Sequence, residues 1–527
     1  MIRNLCLFAL IVSLSNCGSV EKYNKQISNL HSVEEIHEDI DYAYHKLQKL
    51  HPDLYWYTSK DSLDKKISDL KENIKKPISS IEFYKQLAPV VSNVKQGHLS
   101  IYTPQRRQTK AEIKEKGKRS YPFKPLAFKG IDDRLYIKEN YGKDSTGSLV
   151  ADVEVLSIEN EKVSDLLTNF KKLQASDGYN TTYIPEYVVA RFGALYTYTH
   201  KQKDSILLKL KKEDSIYSYY ISANYNKKNE SPIKNVTSVT GAKEISKADK
   251  KEEKAKRKKI IKEQYKHGYN KYTKKNNRDF SFITPNESGS IAYMKIRSFT
   301  KGVYKDFYKE SFTKIDSSQC KHLVIDLRGN YGGRLAEIDE LYSYLTDKEY
   351  IFLEESKMTK RLSFLYPYFH SRSWLKKSAV VAFSPLIATY QLFKVKRSKG
   401  DPYFKFKYNK LRKPKPNSYK GKIYVLINGE SFSASSILST HLKATKRATF
   451  IGQETGGAYN GTVAGFFTGI ELPNSKIKMR VGLLKINTPH TMEPDGYGIK
   501  PDVIITKELS DKDQELDWVI NHVKKSS

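Results

Sequence analysis

Cysteine is almost missing from this 527-residue chain, which holds only Cys6, Cys17 and Cys320. With two of the three near the N-terminus, the body of the chain has no disulfide framework to draw on. Long apolar runs are missing as well. The stretch Leu5–Leu14 is well short of the ~20 residues a spanning helix needs, and no later segment is apolar enough to cross a bilayer. There is no zinc-finger spacing, no Walker loop and no aromatic RNA-binding signature, so nothing supports a specific nucleic-acid partner. No clustered ligand spacing calls for a metal, and no organic cofactor is expected. Acidic residues are outnumbered 59 to 92, leaving a formal charge of +33. Such a field favours polyanions in general, but basicity spread thinly over a lysine-rich chain selects none of them.

What is present begins with a leader pattern. Arg3, the apolar run and the exit Leu14-Ser15-Asn16-Cys17-Gly18 together describe an export signal. The exit resembles the lipobox of bacterial lipoproteins. That resemblance implies cleavage after residue 16, lipidation of Cys17 and a tether over 18–30. It places the protein in the cell envelope, lipid-anchored at the periplasmic face or outer surface of a bacterial membrane. Cys320 then remains as a single part-buried thiol.

The body divides by pattern. Over 31–120, Ile36, Ile40, Tyr44 and Leu47, then Phe83, Leu87 and Val91, recur at helical spacing and predict a helical domain that turns through Gly97 into a short strand. Over 121–226 short strands with one inserted helix from Val163 to Phe170 fit a peptide-groove module. Residues 227–280 are lysine-rich, as in Asp249–Lys259, and read as a solvated helix or a disordered linker. From 281 to 510 strands and helices alternate, the α/β signature. Strands are expected at 290–296, 322–327, 422–427 and 448–452, with helices at 303–315, 334–345 and 433–442. No role is assigned to 350–415, where Ala379–Leu392 fits a packed helix or one lying on a membrane surface. A terminal helix closes the chain over 511–527.

Two motifs carry chemistry. In Val425-Leu426-Ile427-Asn428-Gly429-Glu430-Ser431-Phe432-Ser433-Ala434 a buried strand stops and a helix begins at a serine. A serine there lies at the carboxyl edge of the sheet, where open α/β folds hold ligands, and free N–H groups at a helix start can stabilise an oxyanion. It also fits a plain N-cap. In Asp326-Leu327-Arg328-Gly329-Asn330-Tyr331-Gly332-Gly333 the paired glycines allow close approach of a substrate backbone, and a tight turn explains them equally well. Ser431, Ser435 and Ser436 read as capping or packing serines.

Ordered pieces between Asp39 and Asp502 resemble the C-terminal-processing, or tail-specific, serine peptidase family, in particular its tricorn-core-like branch. They are Gly97-His98, Asp326–Gly333, Ser431–Ser435, Gly452-Gln453-Glu454-Thr455-Gly456-Gly457, Leu472-Pro473-Asn474-Ser475, and Glu493 with Gly498–Asp502. The resemblance implies a ClpP/crotonase-like catalytic core over 281–510 and a PDZ-like β-rich module ahead of it. It implies Ser433 as nucleophile, His98 as base and Glu493 as the carboxylate behind the base. It gives the oxyanion hole to the N–H groups of Ala434 and of Gly332, with Gly333 the neighbouring alternative. The lysine that serves one branch as base is absent, since Gly457-Ala458-Tyr459 stands there. Gly97 replaces the hydroxyl-bearing residue that the tricorn-like branch can carry before the histidine. His490, three residues from Glu493, is a rival base. The activity implied is an endopeptidase acting on unfolded or C-terminal segments of exported proteins through an acyl-enzyme. The alternative is a catalytically silent peptide- or lipid-binding lipoprotein of the same fold. The oligomeric state is not specified.

Overall fold

Strands Ile291–Ile296, His322–Asp326, Lys422–Ile427 and Ala448–Gly452 lie side by side, joined in parallel, in a six-stranded sheet. Arg278–Ile283 adds antiparallel at one edge and Val503–Ile504 parallel at the other. The protein is seen here as a computed structural model that describes residues 19–142, 151–226, 247–283, 291–361, 385, 389, 392–398, 400–506 and 512–526. The leader 1–17, its Cys17 and most of 379–392 lie outside the described residues. Each parallel step needs a crossover, and helices Tyr304–Ser317, Leu335–Leu345 and Ala434–Ala444 supply them. With both faces covered, the inner strands are continuous apolar runs: Leu323, Val324 and Ile325 are wholly buried, as are Val425, Leu426 and Ile427.

Ahead of this core stand helices Val33–Leu50, Lys60–Asn73 and Ser80–Ser92, the first and third opened by Ser–Glu capping boxes. An antiparallel sheet follows, built from Leu126–Ile131, Arg134–Asn140, Val153–Ile158, Ser205–Lys212 and Ser215–Ser222. One apolar cluster runs from Ile36 and Phe83 through Val155 and Leu208 to Met479, so helices and sheet share a core.

Several expectations need correction. The segment 18–30 is not a free tether, because Val20–Ser28 is helical and its Asn24 exchanges two hydrogen bonds with the Arg107 backbone. The 121–226 module holds three helices rather than one, Val163–Lys172, Tyr183–Ala190 and Phe192–Thr199. The lysine-rich segment contains the helix Lys247–His267, exposed over 252–263, but its last residues enter the central sheet as the strand from Arg278. Arg278 is wholly buried and forks onto Glu337, at 2.9 Å from Nη2 to Oε2 and closely through Nε.

A third sheet fixes the site. The long hairpin Thr462–Glu471/Lys478–Ile486 pairs antiparallel with the short strand Ser100–Tyr102. Ser100 lies opposite Arg480 and Tyr102 opposite Lys478. A segment from the N-terminal third is thereby stitched to the sheet beside the α/β core.

Candidate active site

Ser433 sits between the buried strand Lys422–Ile427 and the helix Ala434–Ala444. Its backbone, at φ 58° and ψ −115°, is one that side-chain-bearing residues rarely adopt, at a cost of about 1–3 kcal/mol. The sharp turn is held by its neighbours. The Ser431 hydroxyl donates to Leu327 O at 2.9 Å, Ser435 to Asn330 O at 2.8 Å, and Ser436 to Ser431 O at 3.1 Å. Ser433 itself makes no capping bond. Its Oγ lies 3.0 Å from His98 Nε2. Position favours an N-cap, but the hydroxyl is spent on an imidazole.

His98 arrives through the pairing of Ser100–Tyr102 with the hairpin. Its ring packs between Phe432 and Phe467, with centroids 4.8 Å and 5.5 Å away. Burial, with Arg480 as the second cause, pushes the imidazole down to about 3. It is therefore neutral at ordinary pH and able to accept the hydroxyl proton.

The loop after His322–Asp326 brings Gly332 against the serine: a Cβ there would lie 2.8 Å from Ala434 N, Phe432 O and Ser433 Cβ. With φ at +95° and that contact, only glycine fits. Asn330 organises the loop. It is wholly buried, its Nδ2 donates to Ile296 O at 2.8 Å, and its Oδ1 accepts the Gly332 N–H at 2.9 Å. Among the described residues the N–H groups of Gly333 and Ala434 have no acceptor. Deeper in the loop, Asp326 is held ionised, well below its usual range, by Lys295 and Arg328, and Arg328 reaches Asp513, just ahead of the terminal helix, and Glu515 in its first turn.

Residues 290–505 match the model of peptidase family S41. Over that stretch the chain is similar to peptidases of that family. A carboxy-terminal-processing protease of Bartonella bacilliformis is 29% identical over 228 residues, which cover 42% of this chain and 41% of the relative. The match thus spans about two fifths of that relative's length. Among solved structures, mature CPAF complexed with lactacystin matches with a TM-score of 0.59 at 14% identity, over 94% of this chain and 98% of that one. Mature CPAF alone gives 0.55 at 14% identity, over 90% and 92%. At such identities the likeness is one of fold.

Beside the matched stretch, which holds Ser433, Gly332, Gly333 and Ala434, the structure brings His98 from the N-terminal third into the same cleft. Of the two loop glycines, Gly333 is the one with an unspent N–H, because Gly332 gives its own to Asn330. Glu493 is not brought to the base. It is exposed, and among the described residues no hydrogen bond or ion pair links it to His98. Its loop is pinned from other positions: Asn460 bonds the Met492 backbone at both ends, and Asp495 accepts from Trp56 at 2.7 Å and from Tyr57 at 3.3 Å. His490 lies edge-on to the buried His441, which bonds Phe352 O, and makes no bond to Ser433. Cys320 is buried, and its Sγ donates to His322 O at 3.2 Å.

Two residues that the sequence reading passed over shape the site. Asn330 is one. The other is Asp177, 1% exposed, whose Oδ1 accepts the Gly97 N–H at 2.8 Å next to the base. Burial raises its carboxyl to about 6, opposed by Gly97, Thr462 and Ala458. Its signal was faint, since Ser176-Asp177-Gly178 reads as a surface turn. The turn is buried because Gly178 packs on Gly496, where a Cβ would come within 2.3 Å of the backbone.

The cleft encloses about 740 Å³. Among the described residues no cluster of metal-ligating side chains occurs, and no helix is long and apolar enough to cross a membrane.

Proposed function

We propose that this chain is a serine endopeptidase that cleaves unfolded or C-terminal segments of exported proteins through an acyl-enzyme on Ser433. The observation that carries the reading is the 3.0 Å approach of His98 Nε2 to Ser433 Oγ on a strained turn. A serine hydroxyl is a poor nucleophile until a base takes its proton, and a neutral imidazole at hydrogen-bond distance is such a base. As Oγ attacks the scissile carbonyl, its proton passes to His98. The oxyanion is received by the N–H groups of Ala434 and Gly333, and His98 returns the proton to the leaving amine. Water then repeats the sequence on the ester and frees Ser433. In this scheme Ser433 and His98 act as a dyad, with Asp177 holding the Gly97–His98 turn.

The finer architecture belongs to the same proposal. The parallel sheet and its helices fit a ClpP/crotonase-like core, and the antiparallel sheet over 126–222 fits a PDZ-like module that would capture an extended peptide. The leader pattern supports an exported lipoprotein tethered through Cys17 in the cell envelope. The test is cleavage of a reduced, unfolded protein followed by mass spectrometry. Expected are internal peptide products with the wild type and none with Ser433→Ala. Equal products from both, or peptide binding without any cleavage, would overturn the reading, and the latter would favour a silent binder.

A further inference from the structure

Arg480 and Arg191 both line the cleft that holds Ser433 and His98. Arg480 is half-buried, its guanidinium 3.4 Å from the centroid of the Phe467 ring. Among the described residues neither arginine is paired with a carboxylate. The groups facing Arg480 are instead the phenols of Tyr102, Tyr187 and Tyr183, and Arg191 acts on the same Tyr183 and Tyr187. Burial raises both Tyr183 and Tyr187 above the ordinary phenol value, so they stay neutral and offset no charge. By contrast Arg334, which lines the same cleft, is held by Glu337. Half-burying a cation without a counter-ion is costly, and folded proteins rarely leave one beside a concave site without use.

We propose that this end of the cleft is a carboxylate-binding subsite, in which Arg480, assisted by Arg191 and the tyrosine hydroxyls, takes an acidic group of the peptide substrate. The inference rests on the peptidase reading for the word substrate, but the binding itself does not require catalysis. A guanidinium stacked on an aromatic ring is preorganised, and its free edge offers parallel N–H donors that match a carboxylate. The same cleft is also lined by the apolar side chains of Leu335, Phe406, Phe466 and Ile437. A peptide carrying both an apolar residue and an acid matches that lining. Burial is the main cause that depresses His98 and the Arg480 charge the lesser one; a bound carboxylate offsets only the second. The acid is either an Asp or Glu side chain or the terminal carboxylate, which the experiment separates.

The test is calorimetric titration of Ser433→Ala protein with acetylated hexapeptides of Ala, Leu and Phe. The peptides carry Asp or Asn at the fourth position, each with a free or an amidated terminus. Expected is binding at least about tenfold tighter for a carboxylate over its neutral twin, as a charge-assisted pair provides. The pair of twins that shows the difference names the source. Arg480→Gln should abolish the preference and Arg480→Lys keep part of it; Arg191→Gln, at an exposed position, should reduce it if Arg480→Gln does not fold. Equal binding of charged and neutral twins, a preference that survives Arg480→Gln with an unchanged melting curve, or no binding at millimolar peptide overturns the proposal. Failure of the peptidase reading is a separate result: wild type that cleaves nothing, with the carboxylate preference still measured.

Discussion

Gly97 donates its backbone N–H to Asp177 at 2.8 Å, which ties the residue ahead of the base to a carboxylate almost without solvent contact. Burial lifts that carboxyl from 3.8 to about 6 in the folded chain. Between these values the folded state holds a proton the unfolded state has lost, so stability falls as pH rises from about 4 to about 6. The contribution is of order 3 kcal/mol across that window. Asp177→Asn keeps an oxygen for Gly97 but cannot titrate. Urea unfolding at pH 4 and pH 6.5 should show the wild type losing up to that amount relative to the variant. Parallel losses in the two proteins would show that Asp177 is not the titrating group.

Asn330 holds the oxyanion loop from inside, through Ile296 O and the Gly332 N–H. Asn330→Ala strands both partners in a buried place, at about 1–3 kcal/mol each. Expected is a fall in kcat of about 10–100-fold with KM within threefold, since the loop faces the reacting carbonyl rather than the substrate's flanks. A rise in KM alone would place Asn330 in ground-state binding.

Glu493 is exposed, and among the described residues no hydrogen bond or ion pair ties it to the imidazole. Its replacement by Gln should change kcat/KM by less than about threefold, the range of an ordinary surface substitution. A loss of 100-fold or more on steady-state assay would mean that the loop over 490–496 closes onto His98 during turnover.

Legibility in the sequence followed the range of the interactions. Ser433 was readable because a buried strand, a polar turn and a helix start lie in consecutive residues. The alternating core was readable for the same reason, as Leu323–Ile325 and Val425–Ile427 are unbroken apolar runs. His98 could not be placed by periodicity. It reaches Ser433 through a three-residue strand paired with residues nearly 380 positions later in the chain, and only the family resemblance singled it out. Asp177 and Arg278 were hidden by composition: one looked like a turn and the other like part of a charged linker, yet both are buried by partners distant in sequence. The choice between Gly332 and Gly333 depended on which N–H the Asn330 side chain had already taken. Glu493 shows the converse, a residue matched by motif whose side chain the local pins leave in solvent.

The central claim is that His98 activates Ser433. It is tested most directly by the rate at which a fluorophosphonate labels Ser433 in wild type and in His98→Ala, followed by intact mass at neutral pH. The expected result is a fall of about 100-fold or more in the variant, the usual loss when a general base is removed. Equal labelling rates in the two proteins would contradict the claim.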